Sequence, residues 1–156
     1  MGAYFEKGHW SCLAAVLLAS GSLPCMGAER DIPQAQLLLP AELAQMLRTS
    51  TGEKPLILQV GSHVLYAEAH IPGSEYVGAA GQESGLQALR DRMKGVSRDR
   101  LVVLYCGCCP WSRCPNIRPA HRELTALGFT HLKVLYLADD FGTNWVTLGY
   151  PIAKGR

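Results

Sequence analysis

Hydrophobic residues follow two patterns that alternate along the chain. Short continuous apolar runs predict buried strands at residues 55–60, 76–77, 101–105 and 132–137. Apolar side chains at helical spacing predict helices over residues 38–47, 85–93, 117–127 and 141–148. This alternation of strand and helix is typical of an α/β domain built around a mainly parallel sheet.

The loop that follows the clearest strand is the first candidate for chemistry. Ligands of parallel sheets bind beyond the carboxyl ends of the strands, and Cys106 directly follows the run at 101–105. Asn116 is suited to cap the next helix, and Gly128 is suited to end it. We therefore expect Cys106 to lie at the functional edge of the sheet.

Composition narrows the class of protein. The chain has 156 residues, of which 48% are hydrophobic and 18% charged, so it can bury the core of one domain. Its 15 basic and 13 acidic residues give a net charge of +2 and are scattered along the sequence. This balance argues against a nucleic-acid partner.

The N-terminus predicts an export signal over residues 1–28. Lys7 precedes an apolar stretch at 12–19 that is too short to span a bilayer, and small residues lead to a cleavage position after Ala28. An uncleaved anchor or a buried first helix is the alternative. We predict a periplasmic or secreted protein without a stable membrane span, in which residues 29–37 form an extension and residues 38–156 form the domain.

Cysteines concentrate where the chemistry is expected. Four of the six lie within nine residues, at positions 106, 108, 109 and 114. Structural disulfides usually join distant segments, so this clustering argues against a disulfide framework for the whole fold. It favours a local nucleophile, a redox pair or a metal site.

Four motifs in order resemble those of the rhodanese superfamily. They are YAEAHIPGS at 66–74, the strand LVVLYC at 101–106, LTALGF at 124–129, and the closing stretch from Val134 through Trp145 to the GYP turn at 149–151. Such a resemblance implies a three-layer α/β/α domain with a mainly parallel five-stranded sheet. Where the family commonly has D-x-R, this chain has Gln59-Val-Gly61, and its cysteine loop is enlarged.

The resemblance also implies a sulfurtransferase mechanism that needs no cofactor. Cys106 would accept a sulfane sulfur as a persulfide and pass it to a thiol or cyanide acceptor. The small-molecule or protein donor, such as thiosulfate, would meet Arg113 and Arg118, while loop amides would hold Cys106 as a thiolate. The implied substrate-binding residues are Gly107, Cys108, Cys109, Trp111, Ser112, Arg113 and Arg118. Alternatively, Cys106 is a buried structural thiol.

The three additional cysteines have several possible roles. Cys108, Cys109 or Cys114 could resolve a persulfide by forming a disulfide, or a disulfide could brace the loop. The pattern C-x-C-C-x4-C would also suit a soft metal, but its spacing matches no common zinc pattern, so we assign no metal ligand. The C-x4-R spacing from Cys108 to Arg113 makes Cys108 an alternative nucleophile.

Histidine and tryptophan residues receive structural roles. We expect His70 to fix the HIPG loop by a hydrogen bond, and His121 and His131 to face solvent. Trp145 is expected in the core. Trp111 could form a wall of the substrate pocket or pack against the sheet.

Three functions therefore remain open. The first is a sulfurtransferase that uses Cys106, and the second is a thiol–disulfide redox protein that uses the same loop. The third is a non-catalytic binding module for a soft metal or a partner protein, because a fold does not fix a function.

Overall fold

The structure of the protein is a computed structural model that describes residues 32–49 and 51–155. The predicted signal peptide at 1–28 lies outside these residues. Within the described part of the chain, no helix has both the length and the apolar character needed to cross a bilayer.

A five-stranded parallel sheet forms the centre of the domain. Its strands are β1 (Leu37–Leu38), β2 (Leu56–Gln59), β3 (Glu75–Tyr76), β4 (Val102–Tyr105) and β5 (Leu132–Leu135), in the spatial order β1-β5-β4-β2-β3. Every pairing between neighbours is parallel. All four residues of the central strand β4 are buried, which explains its uninterrupted apolar sequence.

Helices connect the strands. The α-helices are α1 (Pro40–Thr49), α2 (His63–Glu68), α3 (Glu83–Arg92) and α4 (Ile117–Ala126). Single 3-10 turns occupy Gln34–Gln36 and Trp111–Arg113, and a π-helical turn occupies Gly142–Val146. Gly128 follows α4 with φ of 85°, so a glycine ends this helix as predicted.

Alternate residues of the sheet face two separate cores. Val102 and Leu104 of β4 pack with Leu124 of α4, in a cluster that also contains residues of α3. Val103 and Tyr105 face the opposite side, where α1 and Trp145 cover them. This gives three layers, helix on sheet on helix, and confirms the predicted α/β architecture.

Two short elements differ from the sequence prediction. Leu37 was assigned to the extension, but it forms β1 with Leu38, and Ile32 is buried in the core. Helix α2 was not predicted, because its six residues give too short a pattern and only Tyr66 among them is buried. This helix is important for the site because its C-terminal end borders the cysteine loop.

Candidate functional site

The cysteine loop begins where β4 ends and returns to α4. Cys106 directly follows Tyr105, and Gly107 then turns the chain with φ of 75°. A Cβ atom at Gly107 would lie 2.6 Å from the Cβ of Phe141, so the turn needs glycine for both its backbone angle and its space. This tight turn directs the loop back across the carboxyl edge of the sheet.

The four loop cysteines form one cluster of sulfur atoms. The Sγ atoms of Cys106 and Cys108 are 3.1 Å apart, and those of Cys108 and Cys109 are 3.4 Å apart. Cys114 hydrogen-bonds to both Cys106 and Cys109. All four are free thiols, so the structure holds none of the disulfides considered from the sequence.

Negative charge in this cluster belongs on Cys114. The hydrogen bond from Cys106, followed by those from the backbone N–H groups of Asn116 and Ile117, lowers the pKa of Cys114 to about 6, although burial opposes the shift. These amides belong to the N-terminal end of α4, where the helix dipole also favours an anion. These donors favour the thiolate form of Cys114 over that of Cys106.

The surroundings of Cys106 oppose the thiolate form that the sequence analysis expected there. Its hydrogen bond to Cys114 and its burial raise the pKa of the Cys106 thiol far above the ordinary value. Only 4% of the residue is exposed, and the Cys108 amide bonds to its sulfur. The helix amides reach the sulfur of Cys114, which favours the charge of the pair on Cys114 and the proton on Cys106.

Asn116 connects the sulfur cluster to the rest of the fold. It occupies the N-cap position of α4, but its side chain does not cap the helix as predicted. Its Nδ2 donates to the Sγ of Cys106 at 3.3 Å and of Cys108 at 3.7 Å, while its Oδ1 accepts from the Gly81 N–H at 2.8 Å. This amide fixes two sulfurs relative to the segment before α3.

Gln59 and Gly61, which replace the family's usual acid and arginine, support the same loop. The buried Nε2 of Gln59 donates to the carbonyl of Cys106 at 3.1 Å, and its Oε1 accepts from the Gly61 N–H. A Cβ atom at Gly61 would lie only 2.6 Å from the Cys106 sulfur. The departure from the family pattern thus makes room for Cys106 and holds its backbone.

Cys108 is the loop cysteine that borders an open cavity. This cavity, of about 320 Å³, is lined by residues that include Leu65, Glu68, Cys108, Asp140, Phe141 and Val146. Cys106, Cys109 and Cys114 instead line a gap of about 10 Å³ beneath Trp111. A small molecule would therefore meet Cys108, the alternative nucleophile of the sequence analysis, before it met Cys106.

The predicted anion contacts lie away from that cavity. Ser112 and Arg113 are exposed, and the guanidinium of Arg118 lies 5.9 Å from the ring centre of Trp111. Trp111 packs against Tyr136, with ring centres 5.1 Å apart, and forms no wall of the Cys108 cavity. Neither arginine lines that cavity.

Within the described ranges 32–49 and 51–155, no three His, Cys, Asp or Glu side chains are arranged to hold a metal ion. The four sulfurs are connected to one another by thiol contacts instead.

The structure also tests the predictions for histidine and Trp145 side chains. The ring of His70 hydrogen-bonds to the Tyr66 carbonyl at 2.8 Å, which confirms its role in fixing the loop. Trp145 is fully buried and His131 is exposed, as expected. The prediction for His121 was wrong, because α4 turns it inward, where only 9% is exposed and its Nε2 contacts the Gln36 side chain at 2.6 Å.

Sequence analysis did not identify the roles of Asn116, Glu68 and Asp140 at the site. Asn116 was assigned only as a helix cap, and Glu68 and Asp140 were not singled out. The one available signal for Asn116 was its place ten residues after Cys106 at the start of a helix. Glu68 and Asp140 come from separate elements that only the fold brings to Cys108.

Comparison with known proteins supports the architecture. No protein-family model matches the sequence, and no curated protein matches it either. Among solved structures, the rhodanese-like domain of an Anabaena protein matches with a TM-score of 0.56 and 20% identity, covering 76% of this chain and 79% of that one.

Two further structures show the same likeness. A Bacillus halodurans protein matches with a TM-score of 0.58 and 20% identity over 75% of each chain. A rhodanese-like domain protein from Staphylococcus aureus matches with a TM-score of 0.52 and 14% identity, over 78% of this chain and 99% of that one. Together with the all-parallel five-stranded sheet and the cysteine at the end of β4, these matches show that the chain has the rhodanese-like fold.

Proposed function

We propose that this domain transfers sulfane sulfur, which enters at Cys108 and is held as a persulfide on Cys106. The observation that carries the proposal is the contact between the Cys106 thiol and the Cys114 thiolate at the carboxyl edge of the sheet. A buried thiol is a poor nucleophile by itself, but a neighbouring thiolate can take its proton as it attacks.

The proposed transfer is a pair of thiol exchanges. A donor R–S–SH would first lose its outer sulfur to Cys108, so that one S–S bond breaks, another forms, and R–SH leaves. Cys106, whose sulfur lies 3.1 Å away, would then attack that outer sulfur while its proton moves to Cys114. The Cys108 thiolate leaves, takes up a proton, and the sulfur stays on Cys106. Oxidation states balance because each persulfide lost is replaced by another.

Intact loop peptides provide the test. The full chain is treated with an organic hydropersulfide, 2-aminoethyl hydropersulfide, and blocked with iodoacetamide. Trypsin is then used to cut after Arg113, which separates Cys114 from the other three cysteines, and fragmentation of the 101–113 peptide locates the added sulfur. We expect one added sulfur on Cys106 in the wild type and in the Cys109→Ser control, and on Cys108 in Cys106→Ser, where the second exchange is blocked. A wild type that keeps the sulfur on Cys108, or loading of Cys106 in Cys108→Ser at the wild-type rate, would overturn the assignment.

A thiol–disulfide redox function is the second candidate for the same loop. The close contacts among the four free thiols favour it, because Cys114 supplies the thiolate that disulfide exchange requires. This function predicts that mild oxidation removes two titratable thiols reversibly and links the 101–113 peptide to Cys114. If all four loop thiols stay free under oxidation while sulfur loading proceeds, the redox candidate fails.

A further inference from the structure

The cavity beside Cys108 has a chemical character that the proposed function does not specify. Leu65 and Glu68 come from α2, and Asp140 and Phe141 come from the segment before the π-helical turn. The two segments face each other across Cys108. Leu65 and Val146 remain 39% and 37% exposed, so the walls offer apolar surface to a bound molecule.

The charged residues that line this cavity are both acidic. Glu68 and Asp140 are its two ionisable wall residues besides Cys108, and none of the described residues that line it is Lys, Arg or His. The Asp140 carboxylate accepts a hydrogen bond from the Thr143 N–H at 2.7 Å. The whole chain carries a net charge of +2, so the acidic wall is a local feature.

No basic residue of the loop or of the C-terminal segment lines this cavity among the described residues. Arg118 lies over Trp111, which lines a different cavity. Arg113 and Lys154 are not among the residues of the cavity wall. A dianion such as thiosulfate would thus meet two carboxylates and no cation in the wall.

We propose that the Cys108 cavity selects a small organic sulfur compound that carries positive charge, of the aminothiol or aminothiol-persulfide class, and disfavours anionic donors. This inference rests on the proposed sulfur transfer and specifies its substrate. The apolar walls would contact the carbon chain of the compound, its sulfur would meet Cys108, and its ammonium group would lie near Glu68 and Asp140. The two carboxylates are therefore the specificity-determining residues.

Charged thiol reagents test this selection directly. Trimethylammonioethyl methanethiosulfonate and sulfonatoethyl methanethiosulfonate have similar sizes and opposite charges, and each converts a thiol to a mixed disulfide with release of methanesulfinate. Modification rates are measured on the full chain, and comparison with Cys108→Ser isolates the rate at Cys108. Each rate is divided by that of the same reagent with mercaptoethanol, which removes intrinsic reactivity.

The expected result is a normalised preference for the cationic reagent of about tenfold at low salt, because an acidic cavity concentrates cations. The preference should fall towards one in the double variant Glu68→Gln, Asp140→Asn and at high salt. It should persist in Glu42→Gln, which removes a carboxylate from the separate groove beside Trp111. Equal rates, an anionic preference, or a preference unchanged in the double variant would overturn the inference.

The two proposals can fail separately. If 2-aminoethyl hydropersulfide never loads the 101–113 peptide but the charge preference stands, sulfur transfer is wrong and the cavity still binds cations. If loading occurs without charge preference, sulfur transfer stands and the substrate class is wrong.

Discussion

At the scale of single residues, the negative charge and the proton of the site belong to two different sulfurs. Cys114 holds the negative charge because the N-terminal amides of α4 meet it, and Cys106 holds the proton because it is buried and bonded to that charge. The sequence located the reactive loop through the strand ending in Cys106. It could not assign the charge, because that depends on which sulfur the Asn116 and Ile117 amides reach.

The ionisation of Cys114 is directly measurable. As pH rises through about 6, the ultraviolet absorbance of thiolates should increase by the equivalent of one cysteine. The step arises because the pKa of Cys114 lies below the ordinary value of about 8.5 for free cysteine. In Cys114→Ser this low step should be absent. Its persistence in that variant would show that another thiol carries the charge.

Replacement of Asn116 should affect the charge and the fold separately. In Asn116→Asp, an oxygen can still accept from the Gly81 N–H, but a carboxylate faces the sulfurs of Cys106 and Cys108. We expect the thiolate step to move to higher pH, because like charges repel. Asn116→Ala also removes the acceptor and should lower the free energy of unfolding by about 1–3 kcal/mol. Titration and urea denaturation measure the two effects, and an unmoved step in Asn116→Asp would contradict the account.

At the scale of elements, the site depends on a strand, a tight turn and a helix N-terminus in succession. Strands β2, β4 and β5 were predictable because buried parallel strands carry continuous apolar runs. Strands of two residues, such as β1, and the six-residue helix α2 leave no comparable pattern. The path of the loop was not predictable, since it depends on contacts with Phe141, Gly61 and Gln59 from distant segments.

The turn at Gly107 should be intolerant of any side chain. Gly107→Ala would combine a left-handed backbone, which costs about 1–2 kcal/mol, with overpacking against Phe141, which costs about 1–3 kcal/mol. Gly128→Ala is the matched control, since its φ of 85° is similar but no atom lies within 4 Å of the added Cβ. Urea denaturation should show a clearly larger loss for Gly107→Ala. Equal losses would mean that Phe141 does not constrain the loop.

At the scale of the whole molecule, α4 joins the site to the edge of the sheet. Its N-terminal end holds the sulfur cluster, and His121 on its buried face contacts Gln36 immediately before β1. Helical periodicity alone could have placed His121 on the inner face, since it lies four residues after Ile117 and three before Leu124, both buried. The residue type suggested solvent, and the tertiary contact with Gln36 overrode that expectation.

Burial of His121 should make the fold sensitive to acid. Burial lowers the pKa of His121, so the folded state binds fewer protons than the unfolded state as pH falls below about 6.5, and stability declines. We expect His121→Gln to lose less stability than the wild type between about pH 6.5 and about pH 5. Exposed His131 provides the control, and His131→Gln should behave like the wild type. Identical declines in His121→Gln and wild type would refute the assignment.

The most direct test of the account is the pH dependence of sulfur transfer to Cys106, located by fragmentation of the 101–113 peptide, with and without Cys114. In the wild type, the rate should rise as pH passes upward through about 6, because the Cys114 thiolate then becomes available to take the Cys106 proton. In Cys114→Ser the rate near neutral pH should fall by at least about tenfold, since no base remains beside Cys106. Equal rates and equal pH profiles in the two proteins would contradict the division of charge and proton between these sulfurs.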